Sequence, residues 1–158
     1  MKRTIAIIAL FVSVFVGCSS PNPVEYNNKL MTIMNNNEKE MIAMNAAMNS
    51  QDYTKAESVR GDWQKKLEKA ISEVEKMDAL KDDAGLKAAV AEGLKGYKQI
   101  AEVDYKNLIE LRTKEKSGDS TVQFQINTIL EKMNNQFEVL GNKVNQAGSE
   151  FEKKFSGK

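Results

Sequence analysis

The sequence contains no histidine. Its absence removes the side chain most used as a general base, as a metal ligand and as a switch near neutral pH. Cysteine occurs once, at Cys18, which excludes a disulfide within the chain. The only prolines are Pro21 and Pro23, so the 135 residues from Val24 onward have none. That stretch is rich in Lys, Glu, Ala, Leu, Met, Gln and Asn, and nothing in it removes a backbone donor. Such a composition favours helices. Val, Ile and Thr are scattered and do not alternate in runs, which argues against strands. An excess of one charge is also missing. Lys plus Arg number 23 and Asp plus Glu 22, so there is no net-charge reason to bind nucleic acid.

What is present starts at the N-terminus, with MKRTIAIIALFVSVFVGCSS. Lys2 and Arg3 precede the mostly apolar run Thr4 to Val16, and Gly17, Cys18, Ser19 and Ser20 follow. A basic start before a short apolar run reads as a secretory signal. A lasting bilayer span would need about 20 apolar residues. Cys18 stands where that signal would be cut, behind the small residue Gly17. This arrangement resembles a bacterial lipobox. The resemblance implies a lipoprotein signal peptide over 1–17, lipidation of Cys18 as the new N-terminus, and a short tether over 18–22. A soluble cleaved protein and an uncleaved apolar anchor are the alternatives. Two or more acyl chains hold a protein durably, because each buried CH₂ contributes about 0.8 kcal/mol. An Asp after the cysteine would resemble an inner-membrane retention signal. Ser19 stands there instead, which implies the outer membrane, facing either the periplasm or the outside.

The domain proper is expected over 23–158. Asn22 suits a helix cap, Pro23 the first helical position, and Glu25 lies three residues after the cap. The first helix carries the seam Tyr26, Leu30, Ile33, Asn37, Met41, Met44 and Met48, and should stop near Ser50. Asp52 should cap the second, whose seam is Tyr53, Ala56, Val59, Trp63, Leu67, Ala70, Val74 and Met77. Lys81 to Gly85 reads as the next turn, with Asp82 or Asp83 as a cap. The third helix reads Leu86, Val90, Leu94, Tyr97, Ala101, Tyr105, Leu108 and Leu111, with Gly93 and Gly96 near its start either permitting a close neighbour or simply weakening the helix. After the loop Lys116 to Asp119, Ser120 and Gln123 have capping-box spacing. The fourth helix has the longest seam, Val122 to Phe155, and its middle, Phe137 and Leu140, is expected to be the best-packed layer. Four helices joined by short turns predict an all-α, up-down-up-down antiparallel four-helix bundle. In that topology Phe151, Phe155, Lys153, Lys154 and Lys158 return to the end where the first helix begins.

Few constellations suggest chemistry. Met31, Met34, Met41, Met44 and Met48 crowd the first helix. They suit core packing, an adaptable binding groove, or soft ligation of Cu(I). Asn37 on the seam, and Asp104 beside the third, could fix register or line a polar pocket. Trp63, Tyr97 and Tyr105 could enclose a ligand or simply fill the core. Carboxylate-bridged di-metal bundles need Glu-x-x-His motifs, which are absent. Glu68, Glu73, Glu75, Glu102 and Glu110 read as solvated faces. No nucleophile elbow, phosphate loop or other catalytic signature occurs, so neither an enzyme nor a cofactor is expected.

The lipobox, the tether Ser-Ser-Pro-Asn-Pro and the Tyr-Asn-Asn-Lys-Leu start of the first helix resemble small helical surface lipoproteins of Gram-negative bacteria. The resemblance implies a lipid-anchored envelope protein with a structural or partner-binding role, its membrane contact made through the anchor. The alternative is an envelope carrier holding a small hydrophobic ligand or Cu(I) between its helices. A scaffold predicts a filled core, a carrier a pocket lined by Met and aromatic residues.

Overall fold

The computed structural model describes residues 21–155, so the expected signal peptide over 1–17, Cys18 and Lys158 lie outside the described residues. The first helix, α1 (Pro23–Asn49), starts as expected: Asn22 Oδ1 accepts from the N–H groups of Val24, at 2.9 Å, and Glu25, at 3.3 Å. Asp52 caps α2 (Tyr53–Lys76) by accepting from Lys55 N–H at 3.0 Å. These caps satisfy donors that a helix start cannot pair internally.

Helix α2 is shorter than its seam. The chain leaves helical geometry at Met77, yet Met77 and Leu80 remain buried as part of a connection. Lys87 Nζ donates to the carbonyls of Met77, at 2.6 Å, and Glu75, at 3.3 Å, which serves acceptors the helix end leaves open. Asp83 then starts α3 (Leu86–Gln99) from two residues upstream of the cap position, Gly85. Its carboxylate accepts from Gly85 N–H and Lys87 N–H, each at 3.0 Å. Gly85 itself takes φ +79°, a left-handed conformation that glycine adopts without strain.

A π-turn, Ile100–Asp104, joins α3 to α4 (Tyr105–Lys116) in one continuous rod. The Ser120/Gln123 capping box does not form. Asp119, one residue earlier, accepts from Thr121 N–H at 3.0 Å and from its hydroxyl at 2.6 Å, and starts a 3-10 turn, Ser120–Val122. Gln123 Nε2 instead donates to Asn127 Oδ1 at 3.0 Å, within α5 (Gln123–Phe155).

The rod of α3 and α4 counts as one helix of a four-helix, all-α bundle, and no strand occurs among the described residues. In sequence order, α1 packs on α2, α2 on the rod, and the rod on α5. Trp63, Leu67, Leu94, Ile100 and Ile126 are fully buried at its centre. No described helix is long and apolar enough to cross a membrane.

Gly93 and Gly96 do bring α3 against α5. A Cβ at Gly96 would stand 2.5 Å from Leu140 Cδ1, and one at Gly93 would stand 3.1 Å from Val144 Cγ2. The middle of α5 is nevertheless not the best-packed layer. Phe137 and Leu140 are half-buried, whereas Ile126, Met133, Val144 and Phe151 are buried. The reason lies in α1, which meets α5 firmly at one end only. There Tyr26 stacks on Phe151 with ring centroids 6.2 Å apart, and Phe151 meets Phe155 at 4.6 Å. Farther along, α1 and α5 come less close than the other neighbouring helices do.

Two glycines test this packing against each other. Gly61 has nothing within 4 Å of a virtual Cβ, so Gly61→Ala should stabilise the bundle by about 1 kcal/mol through helix propensity alone. Gly96→Leu should destabilise it by about 1–3 kcal/mol, because the side chain must displace Leu140. Thermal unfolding followed by circular dichroism measures both. A melting temperature raised by both substitutions would show that α5 does not lie against Gly96.

Candidate binding groove

Where α1 and α5 part, a groove of about 540 Å³ opens, floored by the start of α4. Helix α1 lends it Met41 and Met48, which its seam placed in the core but which are half-buried. Met44, between them, is fully buried and packs inward. Helix α5 supplies Leu130, Met133 and Phe137 to the opposite wall. Tyr53, at the start of α2, closes the end. Polar groups sit among these apolar walls. Asn45 and Asn49 come from α1, Asn134 from α5, and Arg112 and Glu115 from α4. Arg112 Nη1 donates to Glu115 Oε2 at 2.8 Å.

The floor depends on the π-turn. In a regular helix, successive buried positions advance by 3.6 residues. Here the buried pairs Ile100/Ala101, Asp104/Tyr105 and Leu108/Ile109 advance by four. One wide turn absorbs the excess: Tyr105 N–H donates to the carbonyl of Ile100, five residues back. The turn is braced from α2. Arg60 Nη1 donates to the carbonyl of Ala101 at 3.3 Å, and Gln64 Nε2 donates to Glu102 Oε1 at 2.7 Å. Hydrogen bonds from Lys98 and Gln64 hold the Glu102 carboxyl below the usual carboxylate range.

Two consequences follow for side chains. Tyr105 lies with its ring edge-on to Trp63, centroids 5.9 Å apart, and its hydroxyl donates to Asn45 Oδ1 at 3.0 Å across the groove floor. Burial pushes that hydroxyl up to about 12. Asp104 is buried one residue away and accepts from Lys132 Nζ of α5 at 2.6 Å, while its other oxygen finds no protein partner. The Asp104–Lys132 pair thus ties the wide turn to the far wall of the groove.

The remaining candidates are distributed otherwise. Asn37 is buried but donates to Ile33 O of its own helix at 2.8 Å, not across to a neighbour. With Lys66 and Lys69 it lines a separate recess of about 180 Å³. Trp63, Tyr97 and Tyr105 do not enclose a cavity. Trp63 is core, Tyr97 meets Phe137 with centroids 5.6 Å apart, and only Tyr105 reaches the groove. Glu68, Glu75 and Glu102 pair with lysines on the surface. Among the described residues no group of three or more Cys, Asp or Glu could hold a metal ion. Reasoning from sequence missed Tyr53, Arg112 and Asn134 as groove residues. The four-residue step of the buried pairs was the one signal that pointed to the π-turn.

No family model, curated protein or solved structure matches the chain.

The raised hydroxyl of Tyr105 makes stability depend on pH. An unfolded tyrosine ionises near 10, so folding favours the neutral phenol. That contribution is complete below pH 10 and is lost as pH rises from 10 through about 12. Between pH 9 and pH 11 the wild type should lose about 1 kcal/mol more stability than Tyr105→Phe, measured by urea unfolding. Equal losses in the two proteins would mean that Tyr105 is open to solvent.

Proposed function

We propose that this chain is a lipid-anchored cell-envelope protein that binds a small amphipathic molecule in the groove between α1 and α5. The observation that carries the binding reading is the groove itself. Its volume falls within the range of small-molecule sites, roughly 300–1,000 Å³, and it sets Met, Leu and Phe side chains beside Asn, Gln, Tyr, Arg and Glu groups. A purely structural or partner-binding bundle would be served by a filled core along its whole length. The half-buried Met41, Met48 and Phe137 are instead held at the surface of an opening. Methionine walls adapt to ligands of different shape. The copper alternative is less favoured, because Met44, which would pair with Met41 one turn away, is fully buried among the core residues.

The anchor rests on the lipobox resemblance at Cys18, and the likeness to Gram-negative surface lipoproteins suggests the outer membrane. Under that reading the length of α1 sets the height of the groove. Asn45 lies 22 residues beyond Pro23, which is roughly 33 Å along a helix. The groove would therefore open well above the lipid surface, where a diffusing molecule reaches it. No catalytic step is assigned to it.

Nile red, a neutral apolar dye, tests the groove. The mature domain should enhance its fluorescence with one-to-one stoichiometry. Asn134→Trp, at an exposed position on the groove wall, should abolish the enhancement while leaving the circular dichroism unchanged. Undiminished binding by that variant would place the dye elsewhere. Cys18→Ala tests the anchor. The variant should appear in the soluble fraction of lysed cells and take up no acyl label, and membrane retention without label would overturn the lipidation.

A further inference from the structure

We infer, building on the groove reading, that the ligand is an amphiphile with a single carboxylate head. The polar donors around the groove carry this. Arg112 and Glu115 both line it. A second cation, Lys116, sits at its end: Lys116 Nζ donates to the carbonyl of Gln51 at 2.9 Å and stands 5.5 Å from the centroid of the Tyr53 ring. Both Gln51 and Tyr53 are groove residues. The lining itself holds one cation, Arg112, and one carboxylate, Glu115, with Lys116 beside it.

Hydrogen bonding points to that head. The pair with Glu115 engages Nη1 of Arg112 and leaves the rest of its planar donor fork for a ligand. That fork matches the two oxygens of a carboxylate. Asn45 is oriented by the Tyr105 hydroxyl, which occupies its Oδ1 and directs its two N–H donors elsewhere. Apolar walls from Met41, Met133 and Phe137 would take an acyl or aryl body on the opposite side of the groove.

The test displaces Nile red with three ten-carbon amphiphiles: decanoate, decanol and decylamine. Decanoate should bind at least tenfold more tightly than either of the others, since each charge-assisted pair is worth about that factor. In Arg112→Gln the ratio of decanoate to decanol should fall below about threefold. Lys65→Gln, on the exposed face of α2, should keep the wild-type ratio. If Nile red does not bind at all, the groove reading falls and this inference falls with it. If Nile red binds but decanol or decylamine competes as well as decanoate, only the head-group inference is overturned. A decanoate preference that survives Arg112→Gln overturns it too.

Discussion

Tyr26 presents one ring face to Phe151 and its hydroxyl to Asp83, 2.8 Å away. Three elements meet at that residue: the start of α1, the end of α5 and the turn that launches α3. Burial and the neighbouring Asp83 carboxylate push the Tyr26 hydroxyl well above the ordinary tyrosine range, so it stays a neutral donor. The closing of the bundle is concentrated here. Dispersion and apolar burial among Tyr26, Phe151 and Phe155 fasten α1 to α5 at this end. At the other end α1 is fixed to α2 by the short turn through Asp52, not to α5. A helix held to one neighbour along its length and to the other at one end leaves a wedge, and the wedge is the groove.

The floor of that wedge follows from a second constraint. Trp63 is the largest fully buried side chain, and the rod crossing it must place an aromatic edge beside it. A regular helix from Leu86 would drift off this contact. The wide turn at Ile100–Asp104 corrects the phase and costs helix regularity, which Arg60 and Gln64 offset by bonding the Ala101 carbonyl and the Glu102 carboxylate. Asp104, buried in the same turn, reaches Lys132 on α5. A half-exposed lysine lowers the worth of this pair below that of a fully buried one. Its geometry still gives the turn and the far wall a common support.

Much of this was legible in the residues, for a local reason. Caps such as Asn22 and Asp52 act within three residues, and apolar seams follow helical geometry directly. Asp82 and Asp83 both suit a cap by sequence, and it is the Asp83 carboxylate that serves the first donors of α3, from a longer loop than the sequence implies. The end of α2 was misread because Met77 and Leu80 are buried whether or not the backbone is helical. The groove was harder still. Met41, Met48 and Phe137 keep the same spacing as covered core residues, and whether a neighbour covers them depends on where α1 and α5 diverge. That divergence is a property of packing between the first and last helices, segments far apart in the chain. Arg112 and Asn134 carried no pattern at all, since a polar residue on a groove wall has the same periodicity as one facing solvent. Cys18 was specific as a motif, but it belongs to the segment outside the described residues.

The wide turn also says something about which changes of length this fold tolerates. Each residue advances a helix by about 100°. Deleting one residue between Ile100 and Asp104 would let the rod become a regular helix and would even improve its backbone bonding. Because the wide turn absorbs the surplus residue, α4 would keep nearly its present facing relative to α3 and move along the axis by about 1.5 Å. The same deletion inside the regular part of α4, before Arg112, would swing every later residue by about 100° and take Arg112 off the groove. Elsewhere on the surface, loops such as Lys116 to Asp119 can absorb a gained or lost residue with little consequence. Within these five positions the rod can give up a residue that its regular turns cannot.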